Sequence, residues 1–365
     1  MLKNKYAGIL QELMIKNNID ALIIGPSDDL YYLTGFNVHV CERFQALFFL
    51  ADGNYFHISP QMYLEEAEKN LGSKTDILVW ADSESFLDAI NKANQKYQLA
   101  GKRIAINSAI RGVDLIDIMD ELPAKYVNGH EVLELLRIKK DQSEVEKLQQ
   151  AARWADEVAE KIIDYISPGM TEKDVKEKIE ELFAEKGAGL AFTPIVASGP
   201  NSSMPHYCDD SRVIQEQDII IMDFGCQYEG YNSDTTRTVF VGEATEEQKK
   251  VYDIVLKANR AAEAKVRVGV SAEEVDKAAR EVISREGYGE FFLTRTGHGI
   301  GISVHEAPYI RTGNKQILEE GMAFSIEPGI YLKDNFGVRI EDIVVVGARE
   351  ANILNKSSKE IIIIK

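Results

Sequence analysis

Hydrophobic positions along this chain switch between two periods. Tyr6, Ile9, Leu10 and Leu13 recur at three- and four-residue steps and predict a first helix ending near Lys16. Short apolar runs of strand type follow at 21–24, 46–50, 77–80 and 103–106, with helical spacing between them. Residues 1–138 therefore read as an α/β domain. The charged segment 136–141 then leads to Ser143-x-x-Glu146, which predicts a capping box opening a long helix with Val145, Leu148, Ala152, Ala155, Val158, Ile162 and Ile166 on one face. The domain boundary is placed here, with residues 139–365 as the second domain.

The second domain repeats itself. Residues 166–189 align without a gap on 266–289, an offset of 100 that matches Gly169 with Gly269, Thr171 with Ser271, Val175 with Val275 and Gly187 with Gly287. Each copy is followed by an acidic turn and an apolar strand ending in an acid, Asp223 in the first and Glu327 in the second. A further strand then brings a second acid: Asp234 comes eleven residues after Asp223, and Glu341 fourteen after Glu327. A duplicated unit predicts four carboxylates meeting across a pseudo-two-fold axis.

An acid at the end of an apolar strand is costly unless it is paired or bound to a metal. Oxygen ligands in this number suit a hard or borderline divalent ion, and two such ions close together form a common hydrolytic arrangement. The segment TRTGHGIGISVHE adds His298 and His305, with glycines that let the backbone approach closely. Its Gly297, Gly299 and Gly301 lack the lysine and the strand-then-helix setting of a phosphate loop. His206 lies 99 residues before His305, near repeat register, so the two predict a facing pair.

Composition narrows the field. Apolar residues at 45% and charged residues at 28% fit a folded chain, and 365 residues exceed what one core serves, in keeping with two domains. The net charge of −17 argues against nucleic acid and anionic membrane surfaces as partners. The longest apolar run, residues 46–51, is too short to cross a bilayer, and the first residues lack the apolar stretch and small-residue cleavage site expected of a secretory signal. Three cysteines, Cys41, Cys208 and Cys226, without metal-type spacing, are expected as free thiols in the cytoplasm.

The runs MDFGCQYEGYNSDTTRT, TGHGIGISVHEAP, SIEPGIY and GVRIEDIVVV together resemble the metal-dependent prolidase, aminopeptidase P and methionine aminopeptidase family. The resemblance covers essentially the whole chain. It implies a creatinase-like N-terminal α/β domain and a C-terminal, duplicated pita-bread α+β catalytic domain. It also implies two divalent metals per subunit, manganese by custom of the family with cobalt or zinc as alternatives. Asp234 and Glu341 would bridge them, Asp223 complete one site, and His298 with Glu327 the other.

The expected reaction is attack of a metal-bridging water on the carbonyl of an Xaa-Pro bond. Glu327 relays the proton, and His305 and His206 hydrogen-bond the intermediate or substrate. Arg295 is expected to hold the proline carboxylate of a dipeptide. Arg339 is placed at the substrate site too, as a partner orienting the acids. The segment 36–44 also resembles a region that, in the family, closes over the neighbouring subunit's site in a homodimer. The reading is an Xaa-Pro dipeptidase acting on small peptides with proline second. An Xaa-Pro aminopeptidase acting on longer peptides and a non-catalytic binding protein of the same fold are the alternatives.

Overall fold

The computed structural model describes residues 4–364; the start of the expected first helix, residues 1–3, lies outside them. The chain divides into two compact units, Met1–Arg137 and Ile138–Lys365. Among the described residues no helix is long and apolar enough to cross a membrane. Cys41, Cys208 and Cys226 are free thiols.

The first unit is a six-stranded mixed sheet. From edge to edge its strands are Asp76–Trp80, Tyr55–Pro60, Ala46–Leu50, Ala21–Ile24, Arg103–Ile106 and Lys125–Asn128. The apolar runs read from the sequence form four of these, and Tyr55–Pro60 and Lys125–Asn128 are additional. One face of the sheet is packed by an aromatic stack in which Phe48 lies on Phe56 and Phe56 on Tyr97, with centroids 4.6 and 4.2 Å apart. The helix Asp28–Thr34 ends on Gly35, whose φ of +76° takes the left-handed conformation that stops it. Residues 35–45 then have no regular structure.

The second unit shows the duplication directly. Helices Glu172–Glu185 and Ala272–Arg285 each run 14 residues and begin 100 positions apart. Thr171 with Asp174 caps the first, and the backbone amide and hydroxyl of Ser271 both donate to Glu274 at the second. Gly169 and Gly269 precede them with φ of +92° and +87°. Their amides donate to Ile214 O and Leu318 O at 2.9 and 3.0 Å, so here the register of the two copies has widened to 104. Each copy then supplies an antiparallel pair: Ile219–Phe224 with Thr235–Val241, and Ala323–Ile326 with Asp342–Val346.

Helix Gln142–Tyr165 lays Ala151, Ala155, Val158, Ala159 and Ile162 into the core formed by Ile220, Met222 and Phe224. Its alanines let the helix sit close to the sheet. The capping box expected at Ser143 and Glu146 falls two residues earlier, on Asp141 and Glu144. Glu144 decides the position: one oxygen accepts from the Asp141 amide at 2.8 Å, and the other from the buried Tyr231 hydroxyl at 2.7 Å. Ser143 sits inside the first turn and donates to Asp141 Oδ1. Asp141→Ala is expected to lower unfolding free energy by about 1 kcal/mol, and Ser143→Ala by less than about 0.5 kcal/mol, in urea denaturation. The reverse order would contradict this placement of the helix start.

Candidate metal centre

The acids sit where strands begin and end. Asp223 is the fifth residue of Ile219–Phe224, and Asp234 immediately precedes the paired strand Thr235–Val241. In the second copy Glu327 immediately follows Ala323–Ile326, and Glu341 immediately precedes Asp342–Val346. The two hairpins are stitched together through their backbones: the Glu341 amide donates to Thr236 O at 3.2 Å. Register thus brings all four carboxylates to one place.

His298 arrives on the strand Gly297–Gly299, its amide donating to Ser325 Oγ at 3.1 Å. The flanking glycines are a steric necessity. A Cβ at 297 would lie 1.8 Å from Ser325 O, and one at 299 would lie 2.2 Å from Ala307 O.

Single ligand atoms of Asp234, His298 and Glu341 lie within 4.8 Å of one another. His298 Nδ1 faces the carbonyl of Gly299 at 3.2 Å, which can only accept, so that nitrogen carries the proton in a neutral ring. The other nitrogen, Nε2, then turns a lone pair towards Glu327 Oε1 at 3.2 Å and Asp234 Oδ2 at 3.5 Å. Two further oxygens, Asp223 Oδ1 and Glu341 Oε1, are buried with no hydrogen-bond partner. Lone pairs facing lone pairs, beside orphaned buried carboxylate oxygens, fit a divalent cation between them.

The electrostatics agree. Burial first, and then repulsion from the neighbouring acids, pushes Asp234 and Glu341 well above the ordinary carboxylate range. Burial also raises Asp223, against the opposing pull of Arg339. Glu327 goes the other way in the metal-free site: burial pushes it up, but the His298 ring in its protonated form, Arg339 and the Ser325 hydroxyl together hold it below its usual value.

Arg339 lines the same cavity and lies against the acids, as expected of a partner that orients them. Its guanidinium donates to Asp223 Oδ2 at 2.6 Å, the Tyr331 hydroxyl at 2.9 Å, Thr236 Oγ1 at 3.0 Å and Pro205 O at 3.2 Å. Buried and bonded to these four acceptors, it fixes Asp223. Thr236, which hydroxyl-bonds Glu341 Oε2 at 2.7 Å, and Tyr331 are functional neighbours that sequence reasoning missed. Thr236 lay inside the DTTRT run, and only its place beside Asp234 pointed to it.

The five ligand candidates form one side of a cavity of about 750 Å³ that His206, His305 and Arg295 also line. His305 packs edge-on against His298, with centroids 4.2 Å apart. Burial, then the proximity of His298 and Arg295, pushes it down to about 4, so it is neutral at pH 7. Arg295 lies over the Tyr309 ring at 5.1 Å. Among the described residues no carboxylate pairs with its guanidinium. Phe192, Pro194, Val196 and Val304 give the same cavity an apolar wall.

Residues 146–348 match metallopeptidase family M24, and residues 9–139 match the creatinase/prolidase N-terminal domain. The chain belongs to metallopeptidase family M24. It is 36% identical over 348 residues to a probable dipeptidase of Mycobacterium tuberculosis, covering 94% of this chain and 92% of that protein. It is 36% identical to an Xaa-Pro dipeptidase of Lactobacillus helveticus over 92% of this chain and 93% of the relative. The crystal structure of a prolidase from Thermococcus sibiricus superimposes with a TM-score of 0.93 at 38% identity, covering 100% of this chain and 99% of that one. As an M24 metallopeptidase the protein is a hydrolase whose family works with divalent metals.

The raised acids make the metal-free M24 site sensitive to pH in a definite direction. Asp234 and Glu341 hold protons more tightly folded than unfolded, so above the ordinary carboxylate value of about 4 the native state binds more protons and stability falls as pH rises. A divalent cation neutralises that repulsion. The rise in Tm on adding Mn2+ to chelator-treated protein is therefore expected to grow between about pH 5 and pH 8, measured by scanning calorimetry. A metal-induced shift that shrinks with pH would contradict it.

Proposed function

We propose that the protein is an Xaa-Pro dipeptidase, hydrolysing the bond between the first residue and proline of a dipeptide. The observation that carries this reading is the convergence of Asp223, Asp234, His298, Glu327 and Glu341 in a cavity also lined by Arg295, whose guanidinium has no carboxylate partner among the described residues. Asp223, Asp234, His298, Glu327 and Glu341 would together hold two divalent ions. Manganese is the expected metal. Bound there, the ions supply a water acidified towards neutral pH and a polarised carbonyl.

The chain's own groups do the rest. Glu327, held as a carboxylate below its usual value, takes the proton of the attacking water and passes it to the leaving nitrogen. His305, neutral, donates from its ring N–H to the oxygen on which charge develops, and His206 acts near the leaving nitrogen. The bond before proline has no N–H to grip, so a pocket that positions the substrate by its ends replaces backbone recognition. Arg295 forks onto the free proline carboxylate, which only a dipeptide presents at that distance from the scissile bond. The similarity to an Xaa-Pro dipeptidase and to a prolidase supports the substrate class.

The reading extends to a cytoplasmic homodimer in which segment 36–44 limits substrate length. The support for the dimer is the family resemblance, and a monomer in sedimentation at working concentration would remove it.

Manganese-loaded protein is expected to cleave an Xaa-Pro dipeptide and to leave Xaa-Pro tripeptides largely intact. Cleavage of the tripeptide alone would replace the reading by an Xaa-Pro aminopeptidase. Glu327→Gln is expected to lower kcat by about 10²- to 10⁴-fold. Arg295→Met is expected to raise KM for the dipeptide by roughly 10- to 100-fold, with kcat changed far less. An unchanged KM would show that another group holds the substrate carboxylate.

A further inference from the structure

Behind the metal centre, away from the cavity, a polar cluster is buried in the second unit that peptide chemistry does not account for. Asn259 lies inside the helix Glu246–Lys265 with no exposed surface. Its side-chain amide donates to two backbone carbonyls, Ile326 O at 3.0 Å and Ile340 O at 3.3 Å. These residues immediately precede Glu327 and Glu341. One side chain therefore grips the backbone at both acids of the second repeat.

The orientation of that amide is fixed from the other end. Asn259 Oδ1 accepts from Lys359 Nζ at 2.9 Å, and an ammonium can only donate, so the NH2 group must face the two carbonyls. Lys359 is itself anchored by Glu263 at 2.7 Å and Asp342 at 2.6 Å. The same C-terminal segment reaches the metal-site strands at other points. Asn355 bonds Thr235 Oγ1 at 2.8 Å and the Ile343 amide at 2.9 Å. Ser357 Oγ accepts at 2.7 Å from Arg237, whose guanidinium also donates to Glu341 O at 2.6 Å and Asp342 Oδ1 at 2.7 Å.

We propose that Asn259, oriented by Lys359, is a positioning residue of the metal centre: it sets the spacing of the backbones from which Glu327 and Glu341 project. The inference rests on the reading of these acids as metal ligands. Four carboxylates repel one another before a cation arrives, and strand ends are where a backbone yields most readily. An amide bonded to both carbonyls holds the two strands at one separation whether or not metal is present. The metal then meets ligands already in place, and its affinity contains no cost of drawing them together. The C-terminal segment 355–359 acts through this contact and through Arg237.

The test is calorimetric titration of chelator-treated protein with Mn2+, at a temperature where circular dichroism shows each variant folded. Asn259→Ala is expected to raise the Kd by about 10- to 100-fold, and Lys359→Gln by about tenfold, with Lys359→Arg close to wild type. Val275→Ala, which truncates a buried side chain of the same core away from these contacts, controls for general loosening: it lowers Tm and leaves the Kd unchanged. Should Asn259→Ala fail to fold, Lys359→Gln decides. Unchanged affinity in the folded variants, or an equal loss in Val275→Ala, overturns the positioning role while leaving the metal centre standing. Wild-type protein that binds no Mn2+ overturns the metal centre and this inference with it.

Discussion

The repulsion among four carboxylates, Asp234 and Glu341 buried and Asp223 and Glu327 half-buried, is the constraint on which the catalytic unit depends. They are brought together at one wall of the cavity, largely shielded from water, where like charges are poorly screened and desolvation adds to the cost. The structure offsets this only in part. Arg339 answers Asp223, and Thr236 and Ser325 give hydroxyls to Glu341 and Glu327. Asp223 Oδ1 and Glu341 Oε1 stay without partners, which is what a metal-ligand set looks like when its oxygen atoms are reserved for a cation.

The duplicated fold explains how such a cluster is held without a single element carrying the whole strain. Each copy supplies one acid at the end of a strand and one at the start of its partner. The histidine breaks the symmetry. In the first copy the strand next to Ile219–Phe224 reads Ile-Val-Ala-Ser and offers no ligand, whereas in the second copy Gly297–Gly299 presents His298. The two copies build the acid cluster, and His206, Arg295 and His305 line the same cavity beside it.

Much of this was legible in the sequence because the signals were violations of ordinary patterns. An acid closing the apolar run 219–222 is costly without a reason, and its counterpart at Glu327 repeats the violation in register. Glycines flanking His298 likewise reported a close backbone approach that the structure measures. What stayed hidden was decided by tertiary partners. Ser143 and Asp141 are equally good caps, and Tyr231, far away in sequence, selects Asp141 through Glu144. Arg339 shows its charge in the sequence but not the four acceptors that claim it. Asn259 is one amide on a helix, with no local feature to mark it. The strand Lys125–Asn128 has exposed ends and half-buried centres, so it leaves little apolar imprint.

The central claim is that these five side chains hold two divalent ions. Anomalous diffraction from crystals of the manganese-loaded protein, recorded near the manganese absorption edge, tests it most directly. The account predicts two peaks, both within ligand distance of Asp234 and Glu341, one also contacting Asp223 and the other His298 and Glu327. A fully loaded crystal with no peak at these residues, or with manganese only at the protein surface, would contradict it.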